Sequence, residues 1–285
     1  MGNLIKLLNA SSRSLVVRLV VFGVFMVLLG FILRVVILLP YLEDRLIAFS
    51  SEHQLSIARY VAKDIDVKLG ERLGVLDRMA ASLPLSLLDD PVGLEAWLKL
   101  RHDINPLFSQ GYAVIRADGG GVIADYPVLP GRRQLDYRDS DFVAKAVAGD
   151  RAVIGRPIRG RSSGEPVLVM AKAVRDQEGK VVAVLSGAVA IAAPGFLNLL
   201  QETRIGRTGG FLLISPRDGL FVAATDPAKV LTPLPQPGVN LLHDRAMAGY
   251  RGTGTTVNID GMSELSAIAS VPGTGWFLVV RLPVA

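Results

Sequence analysis

Two periods of apolar residues organise the chain, one helical and one alternating. The N-terminal part is close to uniformly apolar. No charged residue occurs from Leu19 to Leu33, and apolar character resumes from Val35 to Leu39. Residues 15–39 form a run of about 25 positions, long enough as a helix to cross a hydrocarbon layer of roughly 30 Å. Arg18 and Arg34 bracket its central part and can extend their charges towards opposite headgroup layers. The run is too long for the apolar region of a signal peptide, and no small-x-small cleavage site follows Leu39. The pattern therefore predicts an uncleaved transmembrane helix over 15–40. Beyond it, residues 42–83 contain no proline and keep apolar residues at steps of mostly three or four: Leu55, Ala58, Val61, Ile65, Leu69, Leu73, Leu76, Met79, Leu83. That is one stripe on one long helix, weakened locally at Gly70 and Gly74 and stopped by Pro84. The stripe can be a coiled-coil seam between subunits or a spine for later modules, and both can hold in a dimer.

Past Pro91 the period changes. Residues 91–107 read as a short helix carrying Leu94, Trp97 and Leu98, after which the chain becomes rich in alternating strands. An internal repeat then emerges. Residues 112–117 lead through Asp118-Gly119 into 122–125, and residues 211–214 lead through Asp218-Gly219 into 220–223. Each unit is a strand, an Asp-Gly turn and a strand. Ala146-Val147-Ala148-Gly149 closes a predicted helix in the first copy, as Ala246-Met247-Ala248-Gly249 does in the second. Each glycine stands at a helix C-cap position. Strands follow at 152–157, 166–174 and 180–191, then at 254–259, 263–271 and 276–282, with 194–202 a helix joining the copies. The fold class is α+β: a transmembrane helix, a long helix, and two tandem modules of antiparallel sheet that resemble PAS domains. The predicted boundaries are a tail at 1–14, the span at 15–40, the long helix at 41–90, and modules at 91–193 and 194–285.

Composition narrows the function. Half of the 285 residues are apolar and only 20% are charged, with a mean hydropathy of +0.40, and the excess sits at the N-terminus. Cysteine is absent, which excludes a disulfide scaffold, a thiolate metal site and a cysteine nucleophile. A net charge of +5 with 6% aromatics lacks the basic, aromatic-interleaved stripe of a nucleic-acid binder. Lys6, Arg13 and Arg18 precede the span with no acid among them, and Glu43, Asp44 and Arg45 follow it. This bias places Met1 in the cytoplasm and everything after about residue 41 outside. In a bacterium that is a single-pass inner-membrane protein with a periplasmic remainder.

Several segments carry a family resemblance: Asp136-Tyr137-Arg138-Asp139-Ser140-Asp141-Phe142, Val153-Ile154-Gly155-Arg156-Pro157, Ser163-Gly164-Glu165-Pro166-Val167, Asp176 to Gly179, Arg207-Thr208-Gly209-Gly210-Phe211 and, most specific, Val271-Pro272-Gly273-Thr274-Gly275-Trp276. Over 41–285 the chain resembles a double Cache sensor region. It is closest to those preceding bacterial diguanylate cyclases and similar also to those of chemoreceptors and sensor kinases. The resemblance implies a small extracellular ligand bound in the first, membrane-distal module, a second, membrane-proximal module, and a signal passed through the membrane helices of a homodimer. The pocket motif of amino-acid-binding members is not matched. Its Tyr falls at Leu135, its Arg at Ser140, its Trp-Tyr pair at Phe142-Val143, and its two acids at about Gly160 and Ala190. A zwitterion would have no charge partners there, so the chain is not expected to be a standard amino-acid sensor.

The candidate site is positive instead. Arg116, Arg138, Arg156, Arg161 and Lys172 lie in elements expected around the first-module pocket, with Asp139 and Asp141 nearby. Guanidinium forks suit carboxylates or phosphates, which points to an anionic metabolite such as an organic acid. Tyr112 and Phe142 read equally as aromatic wall and as core. Enzyme chemistry finds little support. His53, His102 and His243 are far apart and form no metal pair, and Asp125, Asp136, Asp139 and Asp141 do not match a calcium loop. Gly119-Gly120-Gly121 opens no phosphate-binding helix, and no Gly-x-Ser-x-Gly elbow or Gly-Gly-Asp/Glu-Glu-Phe signature occurs. No cofactor or metal is expected, and any cyclase domain would be encoded after Ala285, where the sequence is expected to continue.

Overall fold

A computed structural model describes residues 15–197, 200, 209–257, 261 and 263–283. The tail at 1–14, most of the joining helix expected at 194–202, Arg207-Thr208 and the end of the strand expected up to 259 lie outside the described residues. Helix α1, Leu15–Ser82, is continuous over 68 residues. It runs without a break through Pro40, the expected end of the membrane span. The chain divides into two compact units, 1–52 and 53–285. In the first, Arg18–Val36 (19 residues, mean hydropathy 2.8) is long and apolar enough to cross a membrane by length and composition.

In the second unit the stripe on α1 is a spine within the single chain. Ala58, Val61, Ile65, Leu69, Leu76 and Met79 are buried against Leu94 and Leu98 of α2 (Pro91–Ile104) and against both sheets. Polar groups on α1 fix the register of the loops it meets. Asp66 Oδ1 accepts from Gly273 N at 2.9 Å and Asp77 Oδ1 from Ala152 N at 2.8 Å. Arg72, itself buried, donates through Nε to Leu107 O at 3.0 Å. The Asp66 bond explains the glycine in Val271-Pro272-Gly273: a Cβ there would lie 2.8 Å from Asp66 Oδ1.

The first sheet contains β1 (Tyr112–Arg116), β2 (Val122–Tyr126), β3 (Val153–Ile154), β4 (Ile158–Arg159), β5 (Pro166–Arg175) and β6 (Val181–Ala190), in the order β2-β1-β6-β5-β3, with β4 also pairing β5. The second contains β7 (Gly210–Ser215), β8 (Leu220–Ala224), β9 (Gly252–Val257), β10 (Ser263–Val271) and β11 (Trp276–Pro283), in the order β8-β7-β11-β10-β9. The equivalent orders confirm the repeat. Helices α3 (Asp141–Ala148) and α4 (Leu241–Met247) occupy matching places. The strand expected at 152–157 stops at Ile154 because Arg156 N is diverted to Asp141 Oδ2 at 2.8 Å and Pro157 has no N–H. The two C-cap glycines also differ: Gly249 is left-handed (φ 102°), whereas Gly149 is extended (φ −106°).

Alternation divides the first sheet into two faces. Tyr112, Val114, Leu168, Met170 and Leu185 face the α1 core. Ala113, Ile115, Val167, Val169 and Ala171 face Phe142, Val143 and Ala146 of α3. Tyr112 is fully buried, its ring centroid 5.1 Å from that of Phe108, and its hydroxyl meets no hydrogen-bond partner among the described residues. Burial pushes this phenol up to about 12, against the opposing charge of Arg72. Because an unpaired buried hydroxyl carries its desolvation cost without return, Tyr112→Phe is expected to leave stability unchanged or raise it by up to about 1 kcal/mol. Thermal denaturation reads this out, and a clear fall in Tm would show that the hydroxyl is bonded.

Candidate ligand site

The first module holds a cavity of about 50 Å³ between the α3 face of the sheet and the segment joining β2 to α3. Its floor is Ala113, Ser186, Ala188, Val167 and Val169, and its walls are Arg132, Tyr137, Phe142 and the stretch from Gly160 to Ser163. Asp125 on β2 organises one wall. This carboxylate is fully buried in an otherwise apolar strand and must be paired there. It accepts from Arg133 Nε at 2.7 Å and Leu129 N at 3.1 Å, and lies 3.8 Å from Arg132 Nη1. Gly131, left-handed at φ 75°, turns the chain into the short 3-10 helix Arg132–Gln134 that carries both arginines. Arg132 is 6% exposed and donates from Nη2 to Gln110 O at 2.7 Å. Burial lowers its pKa, with Asp125 opposing, whereas hydrogen bonds to Asp125 and Glu95 raise that of Arg133.

Arg161, from the β4–β5 loop, forms the other wall. Its Nη2 meets Asp139 Oδ1 at 2.7 Å and Oδ2 at 2.8 Å, its Nη1 donates to Asp136 O, and its guanidinium carbon lies 5.6 Å from the Tyr137 ring centroid. The Arg161 hydrogen bond holds the Asp139 carboxyl below its ordinary pKa, and burial raises that of Tyr137. The Tyr137 and Phe142 rings meet edge-on at 5.8 Å. The space is small, about 50 Å³, and is bounded on one side by a surface ion pair. The exposed Arg161–Asp139 arm is the wall held most weakly.

The expected site residues are distributed as follows. Phe142 and Arg161 border this cavity. Tyr112 belongs to the strand that floors it, but its ring packs on the opposite face. Lys172 likewise lies on the α1 side of the sheet, donating to Asp150 O and standing 4.0 Å from Asp77. Arg116 is exposed at the end of β1. Arg138 pairs with Asp136 at 3.5 Å on the surface. Asp141 pairs with Lys145 at the start of α3. Arg156 reaches outward to Asp218 O at 3.5 Å. These five side chains do not converge with Phe142 and Arg161. Arg132, Tyr137 and the hydroxyls of Ser162, Ser163 and Ser186 border the cavity without having been singled out. The lone acid in strand 122–126 signalled the need for a nearby cation, but not which arginine would supply it.

The family model described as Cache domain, dCache_1, matches residues 41–285. Among solved structures, the chain is similar to the extracellular domain of the histidine kinase rpHK1S-Z16 (21% identity, 83% of this chain and 95% of that one, TM-score 0.66). It is similar also to the ligand-binding domain of the Pseudomonas aeruginosa PAO1 amino acid chemoreceptor PctC in complex with GABA (20% identity, 82% and 99%, TM-score 0.63). A third is the ligand-binding domain of the Pseudomonas fluorescens chemoreceptor CtaA in complex with L-serine (17% identity, 85% and 98%, TM-score 0.59). At these identities the likeness is one of fold.

Proposed function

The chain belongs to the Cache domain family, and from that premise we infer that it is the extracytoplasmic ligand-sensing region of a bacterial transmembrane signalling protein. In this reading Arg18–Val36 crosses the inner membrane with Met1 in the cytoplasm, the first module is membrane-distal, the second is membrane-proximal, and the signalling state is a homodimer. The apolar helix and the positive charges before it support the placement. Ligand binding acts by favouring one of two arrangements of the modules along α1.

The ligand proposed for the first module is a small organic acid. The observation that carries this is the lining: its charged side chains are Arg132 and Arg161, and it includes no carboxylate. An entering carboxylate can take the Arg161 fork from the exposed Asp139, while an ammonium group would meet no acid. GABA and L-serine, bound by similar chemoreceptor domains, would each bring such an ammonium. Titration of the purified full chain with acetate, lactate, succinate and malate is expected to give saturable binding of at least one. Arg161→Ala should weaken it about tenfold or more, as the loss of a charge-assisted hydrogen bond would, with an unchanged circular dichroism spectrum. Saturable binding of serine or GABA with no response to any of the acids would overturn the assignment.

Two outputs are supported. The overall resemblance of residues 41–285 to regions preceding diguanylate cyclases supports a cyclase output, and the similar solved structures support a chemoreceptor or sensor kinase as well. Reading the coding frame past Ala285 separates them.

A further inference from the structure

A space in the second module lies between its sheet and α4, away from the site proposed above. Its volume is about 210 Å³, more than the apolar cavity of about 150 Å³ known to admit a benzene ring. A largely apolar cleft of that size has lining atoms without partners on its open side, which an occupant of matching shape would supply.

The pairing register gives the cavity two ends. On β10, Glu264, Ser266 and Ile268 point to one face, and on β11 so do Val279 and Arg281. Ser266 is opposite Arg281, and Val279 is opposite Leu212 of β7. The polar end therefore has Glu264, Ser266 and Arg281, with Thr256 paired to Glu264 across the sheet. The apolar end has Ile268, Val279, Leu212, Ile214 and Phe221, roofed by Leu242 of α4.

Arg281 is the group that specifies the occupant. Its side chain is 17% exposed, and Nη1 stands 3.6 Å from Glu264 Oε2, too long for a hydrogen bond. Its Nε is buried and meets no acceptor among the described residues. A guanidinium in that condition is completed by a planar anion on its free edge. Lys229 adds a second positive charge to the lining, so Lys229 and Arg281 outnumber Glu264 by one. His243, on the same lining, has its pKa lowered by burial, against the nearby Asp244.

We propose that the second module binds a small monocarboxylate with a compact apolar body, its carboxylate on the Nε edge of Arg281 and its hydrocarbon against Leu212, Ile214 and Val279. A single negative charge balances the lining. The Glu264 carboxylate already faces Arg281, which leaves no separate acid for an ammonium group.

The test is calorimetric titration of the purified full chain with isovalerate, hexanoate and benzoate, each beside its uncharged primary amide. Saturable binding of at least one acid and none of its amide is expected. The variant is the double R281M/E264Q, which removes both facing charges together. It should keep the parental melting temperature within a few degrees and weaken acid binding at least about tenfold. Arg161→Ala, in the first module, should leave this binding unchanged, so failure here and failure of the first-module assignment are distinguishable. If R281M/E264Q does not fold, Ser266→Leu, which fills the polar end with an apolar side chain, must block the acids instead. Absence of binding by all three acids, binding of acid and amide alike, or binding that survives in the folded variant would overturn the proposal.

Discussion

Asp125→Ala is expected to destabilise the chain by about 3 kcal/mol or more and to abolish organic-acid binding in the first module, because one carboxylate serves both ends. Asp125 is fully buried on β2 and holds the two arginines and a backbone N–H of the following segment. Removing one partner of a buried pair typically costs about 3–5 kcal/mol, since the other charge remains without compensation. Here the cost falls towards the lower end of that range. Arg133 has a side chain 34% exposed and can turn to solvent, whereas that of Arg132 is buried and cannot. Among the described residues Arg132 would keep only Gln110 O as an acceptor, and the wall it builds would lose its position. Asp125→Asn retains an acceptor for Leu129 N but not the charge, and should fall between the alanine variant and the parent. Urea denaturation of the three proteins measures the order. A loss below about 1 kcal/mol for Asp125→Ala, the size of a surface ion pair, would mean that the carboxylate does not organise the segment.

The same residue shows where the sequence stops being legible. The long helix, its end near Pro84, the Asp-Gly turns and the sequence of strands and helices in the two modules could all be read, because each follows from a local period or a turn requirement. The faces of the strands were equally readable, and counting them would have altered the candidate site. Val167, Val169 and Ala171 alternate with Leu168, Met170 and Lys172, so a cavity against α3 excludes Lys172 by parity. The ring of Tyr112 falls on the α1 face in the same way, since Tyr112 lies across from Gly187, which in turn pairs with Met170. Arg132 is different. Nothing separates Arg132 from Arg133 or Arg138 in the sequence, and its burial arises from a carboxylate on a preceding strand and a carbonyl at Gln110. The space in the second module was not legible at all. It comes from what Leu242, Val279 and Ile214 fail to fill, and a void leaves no letter in a sequence.

Gly111→Ala is the second substitution expected to have a large effect, and its cause is steric rather than electrostatic. Gly111 is left-handed at φ 73°, a conformation that costs a residue with a Cβ roughly 1–2 kcal/mol. The methyl would also lie 2.7 Å from the Tyr126 carbonyl carbon and against the Pro127 ring. Backbone and ring cannot rotate away as a flexible side chain can, so the start of β1 must separate from the end of β2, adding about 1–3 kcal/mol of overpacking strain. A combined loss of about 2–5 kcal/mol is expected by denaturant titration. The displacement would reach the site directly. Gly111 O accepts from Ala188 N at 3.0 Å, Gln110 N donates to Ala188 O at 2.9 Å, and Gln110 O holds Arg132. Organic-acid binding in the first module should therefore weaken even at temperatures where the variant remains folded, while monocarboxylate binding in the second module persists. Equal weakening at both sites would instead show that the two modules respond to strain as one body.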